Sequence, residues 1–164
     1  MSDGIERFNG LPAADALEAL YGCFADRGWA ARVATGRPYL DLAALLESAE
    51  SAWSDVTPAA WLEAFKAHPR IGEAGGRSPE TSRREQSLVG QASGQTLTAL
   101  AEENRRYEAR FGHVFLIAAS GRSAGEVLEA LRRRIGHDPA TELAVAAGEH
   151  RKITRLRLER LLNG

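Results

Sequence analysis

The chain has 164 residues, of which 44% are hydrophobic and 26% charged, and its formal net charge is −1. These values are ordinary for a globular protein with a sizeable core, and we expect a single domain over residues 1–164. A charge so near zero, without a long basic run, argues against a nucleic-acid partner. The lone cysteine, Cys23, offers neither an internal disulfide nor a thiol cluster for zinc.

Neither end of the sequence carries a targeting signal that we recognise. The first residues lack the charged and then apolar pattern of a secretion signal, and the closing Leu-Leu-Asn-Gly is not a peroxisomal signal. No apolar run approaches the length of a membrane span. Because a lone cysteine also suits a reducing compartment, we expect a cytoplasmic protein that does not enter a membrane.

Apolar residues at three- and four-residue spacing predict helices along most of the chain. One stripe runs over 17–24, and we expect Gly28 to end its helix; a second stripe runs over 42–53. The long stripe over 97–111 should end at Gly112, because glycine readily adopts the left-handed conformation that often follows a helix.

Capping residues mark several helix starts. The sequence has three such signals: Thr57-Pro58, Ser123 with Glu126, and Asp138-Pro139. The last of these helices should extend to about Leu162, and a weaker helix is expected over 82–92. No alternating strand pattern appears, so we predict an all-α fold, a single-domain bundle of roughly eight helices.

The stretch FKAHPRIGE, residues 65–73, places a histidine where a helix should end. Pro69 disfavours the α conformation at His68, so we expect the helix that begins at Pro58 to end about there. A helix C-terminus favours the protonated imidazole, which suits a proton donor working near neutral pH. His68 is therefore a candidate catalytic acid or base, and a plain helix cap is the alternative.

Ser82, Glu85 and Gln86 crowd the first turn of the helix predicted after a glycine-rich loop over 72–79. Ser-x-x-Glu is a capping-box pattern, which explains the serine and the glutamate but does not require the glutamine. In a functional interpretation, the hydroxyl, carboxylate and amide groups bind a polar ligand together with free backbone N–H groups. The residues alone leave both interpretations open.

Two further features could bind a ligand. The apolar run over 114–119 lacks helical period, so it is either a buried core segment or an extended one whose backbone could bind the amides of a small ligand. On the last helix, Arg157 shares the stripe of Ile153 and Leu161, whereas Arg155 does not. A buried guanidinium must pair with a carboxylate, reach water, or hold a substrate anion.

Four segments stand out in chain order: HPRIGE at 68–73, SRREQ at 82–86, NRRYEARFGHVFLIAASGRS at 104–123 and ELAVAAGEHRKITRLRLERLL at 142–162. Together with Trp29 and the Arg37-Pro38 pair, they resemble the OHCU (2-oxo-4-hydroxy-4-carboxy-5-ureidoimidazoline) decarboxylase family over nearly the whole chain. The resemblance implies an all-helical, usually homodimeric enzyme that needs no metal or other cofactor. It implies conversion of OHCU to (S)-allantoin and carbon dioxide in the urate-to-allantoin pathway.

The resemblance also implies roles for individual residues. His68 matches the catalytic histidine, and Glu85 would hold the His68 ring or bind ureido N–H groups of the substrate. The ligand contacts it implies are His68, Pro69, Ser82, Glu85, Gln86, the backbone of Phe115, Leu116, Ile117, Ala118 and Ala119, and Arg157, with Arg155 as the alternative arginine.

Two other functions fit parts of the sequence. His137-Asp138 resembles the metal-binding dipeptide of HD phosphohydrolases, although a helix cap explains Asp138 better. The remaining alternative is a non-catalytic helical binding module. Metal analysis would distinguish the first of these from a decarboxylase, and activity towards OHCU would exclude the second.

Overall fold

The structure is a computed structural model that describes residues 2–71, Glu85, Val89 and 92–163. Within these residues it has no strand and eight α-helices: α1 (Ser2–Asn9), α2 (Ala13–Cys23), α3 (Arg27–Thr35), α4 (Leu42–Trp53), α5 (Pro58–Phe65), α6 (Gly94–Phe111), α7 (Ala124–Ile135) and α8 (Pro139–Asn163). The predicted all-α fold is therefore confirmed.

The helix α3 was not predicted, because Gly28 was expected to end the preceding helix. Instead α2 ends at Cys23, and Gly28 lies in the first turn of α3. The carboxylate of Asp26 accepts a hydrogen bond from the Trp29 N–H at 2.8 Å and so caps the new helix. The expectation was wrong because a side-chain cap can start a helix immediately before a glycine.

The helix α5 begins where the sequence predicts and ends earlier. Thr57 Oγ1 accepts a hydrogen bond from the Ala60 N–H at 3.2 Å, just before the helix starts at Pro58. Its last residue is Phe65, whereas we expected the helix to reach about His68. The His68 N–H donates to the Phe65 carbonyl at 3.1 Å, so the chain leaves the helix through a tightened turn.

The other predicted helix boundaries agree with the structure. Ser123 and Glu126 form a complete capping box at the start of α7, and Gly112 follows α6 with a φ of 79°. Asp138 accepts the Thr141 N–H at 2.7 Å at the start of α8. The 72–79 loop lies outside the described residues, and of the helix expected over 82–92 the structure describes Glu85 as helical.

The chain divides into two compact units. The first comprises residues 1–64 and 152–164, and the second comprises residues 65–151. The expectation of one domain over 1–164 stays a prediction. In the first unit α2 packs on α3 and α3 on α4, around a core that includes Leu20, Phe24, Trp29, Val33 and Leu45.

The helix α1 of the first unit lies against the end of α8. A Cβ added to Gly4 would lie 2.0 Å from the Leu162 carbonyl oxygen, so this close backbone approach requires glycine. Arg7 Nη2 donates to the same carbonyl at 3.2 Å. This backbone contact helps to hold α1, together with the buried side chains of Ile5 and Phe8. The helix has only eight residues, and its two apolar positions were too few for a prediction from periodicity.

The second unit is built on the packing of α6 against α7. Its core includes Leu100, Tyr107, Phe115, Ile117, Val127 and Leu131. The stretch between the two helices contributes to this core without forming a helix itself. The fold therefore carries a non-helical segment through its interior, where side chains must satisfy the backbone.

Candidate active site

His68 lies just beyond the end of α5 and is half-buried. Because the influence of a helix dipole falls off within the last turn, the dipole acts on this ring less than the sequence led us to expect. The ring meets His150 edge-on, with ring centroids 4.6 Å apart and planes at 83°. A second histidine, distant in sequence, therefore helps to hold the candidate catalytic ring in place.

A hydrogen bond joins the two imidazoles, with Nε2 of His68 at 2.9 Å from Nε2 of His150. In such a bond one nitrogen carries the proton and the other accepts it. His150 is only 1% exposed, and its ring centroid lies 5.3 Å from that of Phe65. His68 is half-buried and is therefore the more exposed ring of the pair.

The apolar run over 114–119 is not helical, as one interpretation of the sequence required. Side chains from two helices meet its backbone. Arg134 Nη1 donates to the Leu116 carbonyl at 2.7 Å, and Glu149 Oε1 accepts from the Ala118 N–H at 3.3 Å. These contacts satisfy backbone groups that a neighbouring strand would pair in a sheet.

The two candidate parts approach the same short stretch of α8. His150 reaches His68, and the preceding residue, Glu149, reaches the backbone of Ala118. Both α8 residues are buried, with exposed fractions of 1% and 7% respectively. The candidate catalytic ring and the candidate ligand-binding backbone thus contact consecutive residues of one helix.

A separate buried group, which we call the Arg134 cluster, consists of Tyr107, Arg134, His137 and Glu142. Arg134 and Glu142 are 4% and 0% exposed and form an ion pair with a shortest N–O distance of 2.6 Å. The Tyr107 hydroxyl also donates to the Glu142 carboxylate, and His137 Nδ1 lies 3.0 Å from it. The Arg134 guanidinium stacks 4.4 Å from the Phe115 ring centroid. Through Arg134, this cluster anchors the non-helical segment.

The Arg134 cluster stabilises the charged form of Glu142. Burial alone would raise the pKa of Glu142, but hydrogen bonds from Arg134 and Tyr107, with the Arg134 charge, outweigh it and leave the pKa below 4.5. Burial, followed by the hydrogen bond to Glu142, raises the pKa of Tyr107 well above its ordinary value. Tyr107 therefore remains a proton donor to a charged carboxylate.

The His137-Asp138 dipeptide is engaged in structural contacts. His137 joins the Arg134 cluster, while the Asp138 carboxylate accepts the N–H and the hydroxyl of Thr141 at 2.7 and 2.9 Å. In the part of the chain that the structure describes, no group of three or more histidine, cysteine, aspartate or glutamate side chains is placed to hold a metal ion. These contacts favour the capping interpretation of Asp138.

The structure describes part of the Ser-x-x-Glu-Gln motif. Glu85 is helical and 9% exposed, whereas Ser82 and Gln86 lie outside the described ranges. A capping-box glutamate works well at an exposed site, as Glu126 does at the start of α7. Burying a carboxylate is costly unless it is paired or hydrogen-bonded, so the burial of Glu85 goes beyond what a cap requires. Pro69, beside His68, is half-buried.

Arg157 and Arg155 differ in the way that their positions on the helix predict. Arg157 is half-buried, and its Nη1 donates to the Gly22 carbonyl at 3.4 Å. Arg155 is exposed and pairs with Glu159, one helical turn away, at 3.2 Å. Both arginines belong to the first unit, whereas His68 and the 114–119 run belong to the second. A substrate role for Arg157 rests on the family resemblance alone.

No role for Glu149 or His150 was predicted from the sequence, although both supply contacts at the candidate site. A signal was present, because His150 lies on the same apolar stripe as Ile153. A polar side chain on a buried stripe needs a hydrogen-bond partner. Periodicity predicts that such a residue is buried, but it does not identify the distant residue that the side chain meets.

The family model for OHCU decarboxylase matches residues 9–159. The chain belongs to the OHCU decarboxylase family. It is 35% identical to the uric acid degradation bifunctional protein TTL of Arabidopsis thaliana over 147 residues, which cover 86% of this chain and 45% of that protein. It is also 35% identical to the 2-oxo-4-hydroxy-4-carboxy-5-ureidoimidazoline decarboxylase of Mus musculus, over 81% of this chain and 78% of that one. The chain thus spans less than half of the Arabidopsis relative and most of the mouse one.

Solved structures give the same family and fold. A crystal structure of OHCU decarboxylase in the presence of (S)-allantoin matches with a TM-score of 0.77 and 34% identity, covering 88% of this chain and 96% of that chain. No helix within the described ranges combines the length and apolar character needed to span a membrane.

Proposed function

We propose that the protein converts OHCU to (S)-allantoin and carbon dioxide in urate degradation. The observation that carries the proposal is the family match over residues 9–159. The relatives support it, since they include an OHCU decarboxylase and a bifunctional protein of uric acid degradation. The 34% identical neighbour, whose structure was determined in the presence of (S)-allantoin, supports the same product.

The reaction needs little from the protein beyond orientation, charge stabilisation and one proton. When the bond between the ring carbon and the carboxylate breaks, carbon dioxide leaves and the electron pair moves into the adjoining C=N system of the ring. The ring nitrogen that receives the electron pair takes up a proton. A second proton is then added to one face of the neighbouring ring carbon while the hydroxyl loses its own, which forms the carbonyl of allantoin. Because the ring accepts the electrons, we propose that no metal or cofactor takes part.

His68 is the residue that we propose for the proton transfer. Its half-buried position keeps one part of the ring accessible while the other contacts the buried His150. An imidazole exchanges protons near neutral pH, and general acid–base groups typically contribute about 10²–10⁴-fold to rate. Glu85, a buried carboxylate, would hold the His68 ring or bind the ureido N–H groups of the substrate.

The backbone of Phe115 to Ala119 would bind the amides of the substrate. Its Ala118 N–H already faces an oxygen acceptor, the Glu149 carboxylate at 3.3 Å. Ala118 has a single N–H. A carbonyl oxygen of the ligand would therefore share this hydrogen bond with Glu149 or replace Glu149 as its acceptor. Pro69, Ser82, Gln86 and Arg157 complete the proposed contacts, and they are assigned by resemblance to the family.

We further propose a cytoplasmic homodimer. The resemblance to the family supports the dimer, and a single, buried cysteine, Cys23, is compatible with a reducing compartment. Light scattering coupled to gel filtration would test the dimer. A single species of monomer mass across the working concentration range would contradict it.

The function is tested by generating OHCU from urate in the assay and following circular dichroism. Uncatalysed protonation reaches both faces of the ring and gives racemic allantoin without net ellipticity, so an (S)-allantoin signal must come from the enzyme. We expect this signal to appear only with the protein and to persist in the presence of a chelator. If the allantoin formed in the presence of the protein were still racemic, the proposal would be wrong. Loss with chelator and recovery with one divalent ion would favour the HD-type alternative.

A further inference from the structure

One buried titratable side chain has no part in the function proposed so far. His150 is 1% exposed and lies on α8, and its Nε2 is 2.9 Å from Nε2 of His68. Neither the resemblance nor the composition of the chain assigns it a role. Yet it contacts the side chain that we propose for proton transfer.

We propose that His150 is a positioning residue for His68, which fixes the orientation of that ring and the nitrogen that carries its proton. The kinetic part of this inference rests on the proposed function. The geometric part does not, because it concerns a hydrogen bond that exists with or without substrate.

The orientation follows from burial. An imidazole attached only through its Cβ can rotate about two torsions, and a proton donor must keep its productive geometry to be effective. The ring of His150 is itself held, since it is buried and packs at 60° to the Phe65 ring with centroids 5.3 Å apart. A hydrogen bond to a fixed ring therefore fixes His68, whose own position beyond α5 leaves it half-buried.

The location of the proton follows from the same bond. Which nitrogen of a histidine is protonated depends on the hydrogen bond that its other ring nitrogen makes. When neutral His68 accepts at Nε2 from His150, its own proton sits on Nδ1; when it donates from Nε2, its Nδ1 lacks the proton. The tautomer in which His68 meets the substrate is therefore coupled to the tautomer of His150, which can accept a hydrogen bond when His68 becomes charged.

Nuclear magnetic resonance of the wild-type protein labelled with ¹⁵N-histidine tests the bond without any assay. A coupling between the two Nε2 nuclei, transmitted across the hydrogen bond, should be observed at low temperature. The ¹⁵N shifts of His68 should show one dominant tautomer. If there were no such coupling and His68 showed the tautomer mixture of free histidine, the inference would be overturned.

Kinetics then test the positioning role. His150→Phe keeps an aromatic ring beside Phe65 and removes the hydrogen bond, whereas His150→Gln places an amide near the position of Nε2. We expect kcat to fall by about 10- to 100-fold in His150→Phe with little change in KM, by analogy with the loss of residues that orient a functional histidine. His150→Gln should recover most of kcat.

His113→Phe is the matched control. His113 also contacts the Phe65 ring, at a centroid distance of 5.5 Å, and its Nδ1 lies near the Val114 carbonyl. This variant should keep the wild-type kcat and the wild-type ¹⁵N shifts of His68. Equal kcat in all four proteins, or equal losses in the phenylalanine and glutamine variants of His150, would overturn the inference.

The outcomes separate this inference from the proposed function. If the wild-type protein made no (S)-allantoin, the proposed function would fail, while the N–N coupling would still decide whether the histidine pair exists. If His150→Phe failed to fold, the inference would be decided by the kinetics of His150→Gln and by the N–N coupling in the wild-type protein.

Discussion

Two buried polar groups of the second unit behave in opposite ways. The Arg134 cluster joins opposite charges, with Arg134 and Glu142 both almost fully buried and bonded several times to each other. In the His68–His150 pair, a hydrogen bond joins two groups of the same kind, and one of them is half-buried. Arg134 and Glu142 are both charged at neutral pH, whereas imidazole is the side chain that ordinarily exchanges protons in that range.

This difference indicates a division of roles. Breaking a buried ion pair leaves an uncompensated charge and is strongly destabilising, so the Arg134 cluster should matter for folding and for holding the Leu116 carbonyl. A histidine pair with an accessible member suits proton transfer and should matter for turnover. Substitutions in the two groups should therefore affect different measurements.

The largest effect is expected for His68→Asn. Asparagine keeps a polar side chain but cannot transfer a proton near neutral pH, so kcat should fall by about 10²–10⁴-fold. The melting temperature should change little, because His68 is half-buried and lies outside the helices. Parallel kinetics and thermal melts measure both. Near wild-type turnover, or unfolding without a separate kinetic effect, would contradict the division of roles.

Glu142→Gln should have the opposite signature. The substitution keeps the shape but leaves the buried Arg134 without its counter-charge, which typically costs about 3–5 kcal/mol in the free energy of unfolding. Urea denaturation measures this loss, and turnover per folded molecule should stay within the range of the wild type. Glu126→Gln, at an exposed capping box, is the control that should lose little. Equal stability losses at the two positions would show that the buried ion pair is not the cause.

Glu85→Gln should lower activity more than stability. Glutamine can occupy the same position of a capping box, so a purely structural role would survive the change. A carboxylate that binds substrate or His68 would not, and we expect kcat/KM to fall by about 10²-fold, at the lower end of acid–base effects. Kinetics and melts on the same preparation measure both. Loss of stability alone would return Glu85 to the role of a helix cap.

Arg157→Lys against Arg155→Lys tests the arginine assignment. A lysine replaces the charge of a guanidinium but not its planar pair of donors. We expect Arg157→Lys to lower kcat/KM by roughly 10-fold, equivalent to about 1.4 kcal/mol, and Arg155→Lys to be nearly silent. The reverse result would move the substrate role to Arg155. A loss of melting temperature alone would assign Arg157 to internal contacts.

The pH dependence of stability gives the smallest effect. The pKa of Glu142 lies below 4.5 in the folded protein, so the unfolded chain binds its proton first as the pH falls. The stabilisation is complete above pH 4.5 and is lost as the pH falls through the folded pKa. The slope contributed by Glu142 should be at most about 1.4 kcal/mol per pH unit, and it should disappear in Glu142→Gln. If the slope of stability against pH were unchanged in Glu142→Gln, the pH dependence would have to come from other carboxyl groups.

Features set by neighbouring residues could be predicted from the sequence, whereas contacts between distant residues could not. Caps such as Thr57 and Ser123 contact residues close by in sequence, so their helix starts could be predicted. The helix at Arg27–Thr35 was missed because a cap at Asp26 outweighed a glycine that looked like a stop. His68 was identified from its proline and from the family resemblance. Its contact with His150 could not be, because nothing in a single sequence indicates which distant rings will meet.

The claim that the functional site lies at His68 and the 114–119 run is tested most directly by titrating ¹⁵N-labelled protein with (S)-allantoin, using (R)-allantoin as control. We expect saturable shifts, stronger for the (S) enantiomer, in the imidazole of His68 and the amide of Ala118. The indole signal of Trp29, which is buried in the first unit and donates to the Ala49 carbonyl at 3.0 Å, should stay unchanged. Saturable shifts confined to the first unit, with His68 and Ala118 unaffected, would contradict the account.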